Sequence, residues 1–259
     1  MKREIIFDPT PSSSDSPSLF YAAKMALATL GESVGLLWDA SFHPLSIPLA
    51  DKHIKQFGRN LLKESHTTLE VVGRSTINFS RSYVYMSNHP SVLDIPALFE
   101  AIPQSLRMVA KNELFQVPIF GQAMEQSGFI RIDRRNRQKA ITQLETAKER
   151  LKEGISVWVS PEGTRNRTTE MGPFKKGGFH IAMSLAVPII PIWIEGTEQI
   201  IRPGSFKVHP NRKTTLFFGS PISTTGLEKE NLENLMIQVR QEILKLRPYK
   251  GASNSADPA

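Results

Sequence analysis

His89 and Asp94 have the side chains and the spacing for general base catalysis. A carboxylate bonded to one imidazole nitrogen fixes the tautomer and leaves the other nitrogen free to accept a proton from a hydroxyl. Pro96 is tolerated only in the first turn of a helix, so we expect His89 to lie in the turn before that helix, with its ring folded back towards Asp94. The segment therefore predicts the base and the orienting group of a catalytic triad, without the serine.

A plainer interpretation of this segment stays open. In it, Asp94 only stabilises the N-terminus of a helix, and His89 is an ordinary turn residue. Because a His and an Asp stand at such a spacing by chance in many chains, the spacing alone does not decide between the two interpretations.

Further polar residues follow the ends of other predicted strands. Gly163 permits a tight loop, and Arg165 could hold a phosphate by paired hydrogen bonds. A ligand of an open α/β sheet binds outside the carboxyl ends of the strands, so we expect these residues to converge near His89. One base and several cations in one place are what the acylation of a phosphorylated alcohol requires. The residues concerned are Lys111, Arg134, Glu162, Gly163, Thr164 and Arg165.

Short β-type segments alternate with helical patterns along most of the chain, which predicts βαβ units around a parallel sheet. The fold class is therefore predicted as α/β, with a mostly parallel central sheet flanked by helices. Leu235, Val239 and Ile243 belong to an apolar stripe that predicts a last core helix. The other predicted strands lie near residues 83–87, 107–110, 129–132, 156–160, 189–194 and 214–218, and the other predicted helices near 93–101, 118–126, 138–152 and 177–185.

An N-terminal helical hairpin is predicted before this sheet. Its first helix, near residues 19–38, is apolar, but Lys24, Glu32 and Asp39 interrupt or bound it before it could span a bilayer comfortably. We therefore expect an interfacial helix in a membrane-docking hairpin. The alternative, that this helix packs on the core of the protein, stays open because apolar helices are usually core.

The composition favours anionic partners. Lys and Arg outnumber Asp and Glu by 32 to 25, which gives a formal charge of +7 and a sequence pI near 9.6. No RNA-reading consensus or basic recognition helix is present, so we expect lipid or phosphate and no nucleic acid.

Several chemistries are excluded by what the sequence lacks. The absence of cysteine excludes disulfides, thiolate nucleophiles and thiolate metal sites. No Walker loop, dinucleotide fingerprint or zinc-binding H-E-x-x-H helix is present, so we predict no metal and no bound cofactor. Charged residues and Pro9 near the start replace the apolar core of a signal peptide, so secretion is not expected.

Taken together, these motifs resemble those of the glycerolipid acyltransferase family, which includes bacterial lysophosphatidic acid (1-acyl-glycerol-3-phosphate) acyltransferases. The resemblance covers residues 71–222. Ser160 departs from it, since Phe is common at that position, and so does Arg131 in a mostly apolar block; both departures concern the acceptor headgroup. The matching parts are Asn88-His89 with Asp94 for Asn-His-x-x-x-x-Asp, residues 128–134 for a block ending in Ile-Asp-Arg, residues 161–165 for Pro-Glu-Gly-Thr-Arg, and residues 187–191 for an apolar fourth block.

The resemblance implies an O-acyltransferase of phospholipid biosynthesis. It implies transfer of a fatty acyl chain from acyl-CoA or acyl carrier protein, as co-substrate, to the free hydroxyl of 1-acyl-glycerol-3-phosphate or a related lysolipid. It also implies His89 as the base and Asp94 as its partner. Substrate binding is assigned to Asn88, Lys111, Arg134, Glu162, Gly163, Thr164 and Arg165, with Lys111, Arg134 and Arg165 on the acceptor phosphate.

The resemblance also implies a place and a division of the chain. We expect a peripheral or monotopic protein at the cytoplasmic face of a membrane, with the anionic membrane surface as a partner. The expected division is a flexible leader at 1–18, the membrane-docking hairpin at 19–66, an acyltransferase domain at 67–249 and a flexible tail at 250–259.

Three other functions stay possible at this point. The chain could acylate a lysolipid with another headgroup, or it could be a lipid-binding member of the fold without catalysis. It could also be a serine esterase, because Gly31 to Gly35 matches the G-x-S-x-G elbow around Ser33. Against the esterase, the preceding residues 25–30 favour a helix, whereas the elbow requires a strand there.

Overall fold

The fold is known from a computed structural model that describes residues 2–42, 45–133, 137–165 and 170–248. Within them, eight strands form one sheet in the order β1-β2-β8-β7-β3-β6-β4-β5. The strands are β1 Arg3–Phe7, β2 Thr67–Val72, β3 Val84–Ser87, β4 Leu106–Lys111, β5 Ile130–Ile132, β6 Ser156–Val159, β7 Ile189–Glu195 and β8 Arg212–Phe218. The helices are α1 Leu19–Phe42, α2 Ile47–Glu64, α3 Asp94–Ala101, α4 Phe120–Gln126, α5 Arg137–Lys152, α6 Gly177–Ser184, α7 Thr197–Ile200 and α8 Leu232–Lys245, with short 3₁₀ segments at Arg74–Thr76, Asn112–Gln116 and Lys229–Asn231.

The sheet is mostly parallel, as predicted. Strand β3 lies near its centre, between the parallel strands β7 and β6, and β4 and β5 continue the parallel part. Strand β8 runs antiparallel to β7 and parallel to β2, and β1 closes the edge antiparallel to β2. The carboxyl end of β3 therefore opens where the ends of β6 and β7 also lie, which is where α/β sheets bind ligands.

Helices cover both faces of the sheet. Along β3, side chains alternate between the faces: Tyr85 joins a core shared with α2 and α3, whereas Val84 and Met86 join a core shared with α5, α6 and α8. In α8, the predicted stripe that includes Val239 and Ile243 is buried in the second core, so its assignment as core is confirmed. Strand β3 is buried throughout, which fixes the position of the turn that follows it.

The two helices predicted before the sheet are present as α1 and α2. Helix α1 buries only one side, including Tyr21 and Leu36, while Leu27 and Trp38 are 68% and 66% exposed. Both sequence-based alternatives thus have a physical basis, because one face packs on the protein and the other faces outwards. Helix α2 packs on α3 at Gly58, where a Cβ atom would lie 3.0 Å from Cβ of Phe99. Among the described helices, none combines the length and apolar character that crossing a membrane demands.

The predicted flexible leader at 1–18 is wrong for part of its length. Residues Arg3–Phe7 form the edge strand β1, because a short β-forming segment can add to the open side of β2. Further along, Ser18 pairs with Val208 in an isolated bridge, so this part of the chain is also tied to the domain. The predicted tail at 250–259 lies outside the described residues.

Candidate active site

His89 and Asp94 form the hydrogen-bonded pair that the sequence predicts. Strand β3 ends at Ser87 and α3 begins at Asp94, so His89 lies in the turn between them. Its Nδ1 lies 2.7 Å from Oδ2 of Asp94. The carboxylate is fully buried and the imidazole is 14% exposed, which leaves Nε2 as the nitrogen available to a substrate.

Asp94 receives two further hydrogen bonds. The backbone N–H of Ser91 donates to Oδ2 over 2.9 Å, and the hydroxyl of Thr197 donates to Oδ1 over 2.5 Å. Thr197 is fully buried at the start of α7, where Gly196, with φ of 95°, lets the chain turn sharply after β7. A buried carboxylate needs such donors to stay charged. Sequence reasoning missed Thr197, because no local motif connects it with a residue so distant along the chain.

Asn88 holds the catalytic turn to strand β7. Its Nδ2 donates to the carbonyl of Ile194 over 2.8 Å, and its Oδ1 accepts from the backbone N–H of Ile194 over 2.7 Å. Both ends of the amide are thus used within the protein. The substrate binding that the sequence predicted for Asn88 stays a prediction.

Trp158 packs against the catalytic imidazole. Its ring meets that of His89 edge to face, with the centroids 5.3 Å apart. The indole N–H donates to the hydroxyl of Ser87 over 3.0 Å, and that hydroxyl donates to the carbonyl of Asn88 over 2.7 Å. The orientation of the His89 ring is therefore fixed by a buried side chain as well as by Asp94.

A polar cavity of about 510 Å³ opens beside His89. Glu162 lies in its wall, is buried, and accepts a hydrogen bond from the backbone N–H of Gly172 over 2.7 Å. Gly163 follows with φ of 72°, so the tight loop predicted at this position is present. The structure thus brings Glu162 to the same cavity as His89.

The predicted cations do not share this cavity in the part of the chain that the structure describes. Lys111 ends β4 with an exposed side chain, and Thr164 and Arg165 are also exposed. None of these three lines the cavity. Arg134 lies outside the described residues. The assignment of Lys111, Thr164 and Arg165 to substrate binding stays a prediction, since the exposed side chains of Lys111 and Arg165 are long and flexible.

Other cations, which the sequence analysis missed, do line the cavity. Arg202 follows α7, Arg212 begins β8, and Arg247 lies after α8 with its guanidinium 5.4 Å from the ring centroid of Trp193. His209 lies with them, and its pKa is lowered by desolvation and by the nearby Arg202 and Arg212. These residues belong to no recognised motif, so only the folded chain shows that they line the cavity beside His89.

Glu198 adds a carboxyl group to the same wall. Burial raises its pKa, and the neighbouring charges of Glu195 and Asp94 raise it further. Glu195 instead accepts a hydrogen bond from the indole N–H of Trp193 over 2.7 Å. The cavity wall therefore includes a carboxyl group, that of Glu198, whose pKa is raised.

An apolar cavity of about 310 Å³ lies on the other side of the catalytic turn. Pro90 lines the polar cavity, whereas Val92 and Leu93 line the apolar one, so the turn separates the two spaces. The rest of the apolar wall comes mainly from α1, α2, α3 and α4, and includes Met25, Leu36, Phe57, Phe99, Phe120 and Met124. Such a lining accepts an apolar chain and disfavours polar groups.

Ser33 does not form a nucleophile elbow. The segment Gly31 to Gly35 lies inside α1, with no strand before it, and the hydroxyl of Ser33 donates to the carbonyl of Thr29 over 2.7 Å. An elbow needs a sharp turn from strand to helix to expose its serine. The serine esterase alternative is therefore contradicted.

Known proteins are similar to this chain in sequence and in fold. A model of the acyltransferase family matches residues 68–195. The 1-acyl-sn-glycerol-3-phosphate acyltransferase of Cocos nucifera is 38% identical over 152 residues, 58% of this chain and 49% of its own length. That of Saccharomyces cerevisiae is 35% identical over 179 residues, 68% of this chain and 58% of its own length. The solved structure of the 1-acyl-sn-glycerophosphate acyltransferase PlsC from Thermotoga maritima is 25% identical, with a TM-score of 0.72 over 90% of this chain and 96% of that one.

A base and its carboxylate lie at the end of a central parallel strand, within the region that the acyltransferase family model matches. The chain is similar to 1-acyl-sn-glycerol-3-phosphate acyltransferases in both sequence and fold. The chain spans about half the length of these two curated relatives, 49% and 58% respectively.

Proposed function

We propose that this chain transfers a fatty acyl group from an acyl thioester to the free hydroxyl of 1-acyl-glycerol-3-phosphate, which gives phosphatidic acid. The observation that carries the proposal is the 2.7 Å contact between Nδ1 of His89 and Asp94, beside a cavity of about 510 Å³. The names of the relatives, 1-acyl-sn-glycerol-3-phosphate acyltransferases, support this choice of acceptor.

In the proposed reaction, His89 acts as the general base. Nε2 of His89 takes the proton of the acceptor hydroxyl as its oxygen attacks the thioester carbonyl. The tetrahedral intermediate then expels the thiolate, which takes up the proton from the imidazolium, so the products are an ester and a thiol. Asp94, which is held by three hydrogen bonds, orients the imidazole and stabilises the imidazolium. Backbone N–H groups of the turn stabilise the oxyanion, and no acyl-enzyme is formed.

The apolar cavity is suited to the acyl chain of the donor. Val92 and Leu93, at the end of the turn that carries His89, line this cavity, so a chain bound there would present its carbonyl near His89. Each buried CH₂ group contributes about 0.8 kcal/mol to binding. Acyl-CoA and acyl carrier protein both satisfy this arrangement as co-substrates, and the proposed reaction uses no metal or other cofactor.

The exposed face of α1 is suited to the surface of a membrane. Leu27, Leu30, Val34 and Trp38 recur at helical spacing and are all exposed. A helix of this kind lies in the interface with its apolar face among the acyl chains. We propose that the α1–α2 hairpin docks the protein on the cytoplasmic face of an anionic membrane, as a peripheral or monotopic enzyme, where its lipid substrates are found.

Acyl transfer by the purified protein tests the function. The assay presents detergent-dispersed lysophosphatidic acid with labelled acyl-CoA or acyl carrier protein, and measures phosphatidic acid. His89→Ala should lower the rate by about 10²–10⁴-fold, whereas His180→Ala on α6, which is away from the cavity, should retain wild-type turnover. Inactivity of the wild type with every lysolipid would favour the non-catalytic lipid-binding alternative, and activity with another headgroup would change the acceptor only.

A further inference from the structure

We propose that Arg202 and Arg212 form a phosphate-binding site in the wall of the catalytic cavity. The ligand is the phosphate group of a substrate, so this inference rests on the proposed function. Both arginines line the cavity that contains His89, whereas Lys111 and Arg165, predicted from motifs to hold phosphate, do not.

The two arginines line one cavity together with His209. Their charges, with that of Lys207, lower the pKa of the His209 imidazole in addition to its desolvation. Paired guanidinium groups offer several N–H donors to one phosphate, with bidentate geometry that an ammonium does not provide. The arrangement therefore fits a phosphate better than it fits a neutral headgroup.

These arginines are free to take an anion. Across the part of the chain that the structure describes, no carboxylate lies within 4.0 Å of a guanidinium nitrogen of Arg202 or Arg212. The neighbouring Lys213 differs, because its ammonium lies 3.2 Å from Glu70 of β2. A phosphate that binds Arg202 and Arg212 would thus break no existing ion pair.

The backbone that carries Arg202 and Arg212 is held in place. Ile201 pairs with Val208, which also pairs with Ser18, so a short hairpin connects the two sides of this loop. The carbonyl of Arg202 accepts a hydrogen bond from the N–H of Ser205 over 3.0 Å inside the hairpin. Arg212 begins β8 and is aligned with Thr67 of β2. A site on such a fixed backbone loses little conformational entropy when it binds.

Both substrates bring a phosphate to this cavity. If the acyl chain occupies the apolar cavity, the acceptor and the remainder of the thioester must lie in the polar one, because the catalytic turn separates the two spaces. Lysophosphatidic acid carries a phosphate monoester, and both kinds of donor carry a phosphorylated pantetheine. Phosphate is therefore the shared chemistry, and the two sources can be told apart by substrates that lack it.

Steady-state kinetics of R202A/R212A, beside wild type and K213A, test the site. K213A is the matched control, since Lys213 adjoins Arg212 but does not line the cavity. We expect KM to rise by about 10- to 100-fold for the substrate whose phosphate binds there, with little change in kcat. The acceptor arm compares lysophosphatidic acid with monoacylglycerol, and the donor arm compares acyl-CoA with an acyl thioester of N-acetylcysteamine. The site is supported if R202A/R212A raises KM for a phosphate-containing substrate but not for its phosphate-free analogue. It is overturned if the double variant leaves KM unchanged, or raises KM equally for the substrate and its phosphate-free analogue.

A binding measurement separates this inference from the proposed function. Isothermal titration calorimetry measures the affinity of inorganic pyrophosphate for the H89A protein, so it reports on the phosphate site without any acyl transfer. Adding R202A/R212A should weaken this binding by about 10-fold or more, while adding K213A should not. Equal affinity in the three proteins would overturn the site even if wild type transfers acyl chains. Conversely, a loss of affinity would support the site even if wild type proves inactive.

Discussion

The hydroxyl of Thr197 donates to Oδ1 of Asp94 over 2.5 Å, while Nδ1 of His89 lies 2.7 Å from Oδ2 of the same carboxylate. The two contacts fix both oxygens, and with them the plane of the carboxylate. Since Asp94 is fully buried, no water replaces either donor. Thr197 is thus a positioning residue, which acts on the base only through Asp94.

Thr197→Val should lower kcat by about 10-fold and leave KM for both substrates nearly unchanged. The reason is that the buried oxygen loses a donor, at a cost of about 1–3 kcal/mol, and a loss of 1.4 kcal/mol in the transition state is tenfold in rate. Thr197→Ser keeps the hydroxyl and should restore most of the rate. If the Val variant instead turns over as fast as wild type, the hydrogen bond from Thr197 to Asp94 has no part in catalysis.

Asp51→Ala should destabilise the fold by about 3 kcal/mol. Arg107 is 2% exposed, and its guanidinium donates to Oδ1 of Asp51 over 2.6 Å and to the carbonyl of Ser127 over 2.5 Å. Burial lowers the pKa of Arg107, and Asp51 opposes that effect, so removal of the carboxylate leaves a buried charge without its partner. Urea unfolding measures the loss. Lys52→Ala, on the exposed side of α2, is the control and should leave stability unchanged.

Glu198→Gln should make stability less dependent on pH. Burial, Glu195 and Asp94 raise the pKa of Glu198 from its ordinary value of 4.5, so the folded state binds the proton more tightly than the unfolded state does. The stabilising effect is complete below pH 4.5 and is lost as pH rises through the higher folded pKa. Relative to wild type, the Gln variant should therefore gain stability from acid to neutral pH, as unfolding midpoints across that range would show. A constant difference between the two proteins would contradict the assignment.

The triple variant L27S/V34S/W38S should bind anionic phospholipid vesicles at least about 10-fold more weakly than wild type. These side chains are 68%, 49% and 66% exposed on one face of α1, so their loss should cost little folding stability. Ile237→Ser on α8, where the side chain is 54% exposed, is the matched control and should bind as wild type does. Unaltered sedimentation of the triple variant with vesicles would show that another surface docks.

Local patterns were sufficient for much of this molecule. The buried runs of β3 and β7 are visible in neighbouring residues, so both strands were predicted close to their observed bounds, and the helical period of α8 was enough to predict a core helix. The His89–Asp94 pair was also accessible, because a single turn contains both residues and Pro96 limits the helix that follows.

Long-range contacts account for what the sequence did not predict. Strand β1 is stabilised by its pairing with β2. Both strands are short and lie next to polar residues, so the local sequence of each one predicts a strand only weakly. Thr197 reaches Asp94, and Arg202 and Arg212 line the cavity beside His89, because β7 and β8 pair in antiparallel fashion beside β3. Which side chain enters the cavity is a property of that arrangement and leaves no trace in a local motif.

Because β3 lies at the centre of the sheet, the catalytic base is in place only after the neighbouring strands have paired during folding. The neighbouring strands β6 and β7 begin at Ser156 and Ile189, far along the chain from β3. Pairings so distant in sequence must first overcome the entropy of closing long loops, so they form late in folding. Acyl transfer should accordingly appear in a refolding experiment only together with the whole sheet, and no partly folded species should modify a lipid prematurely.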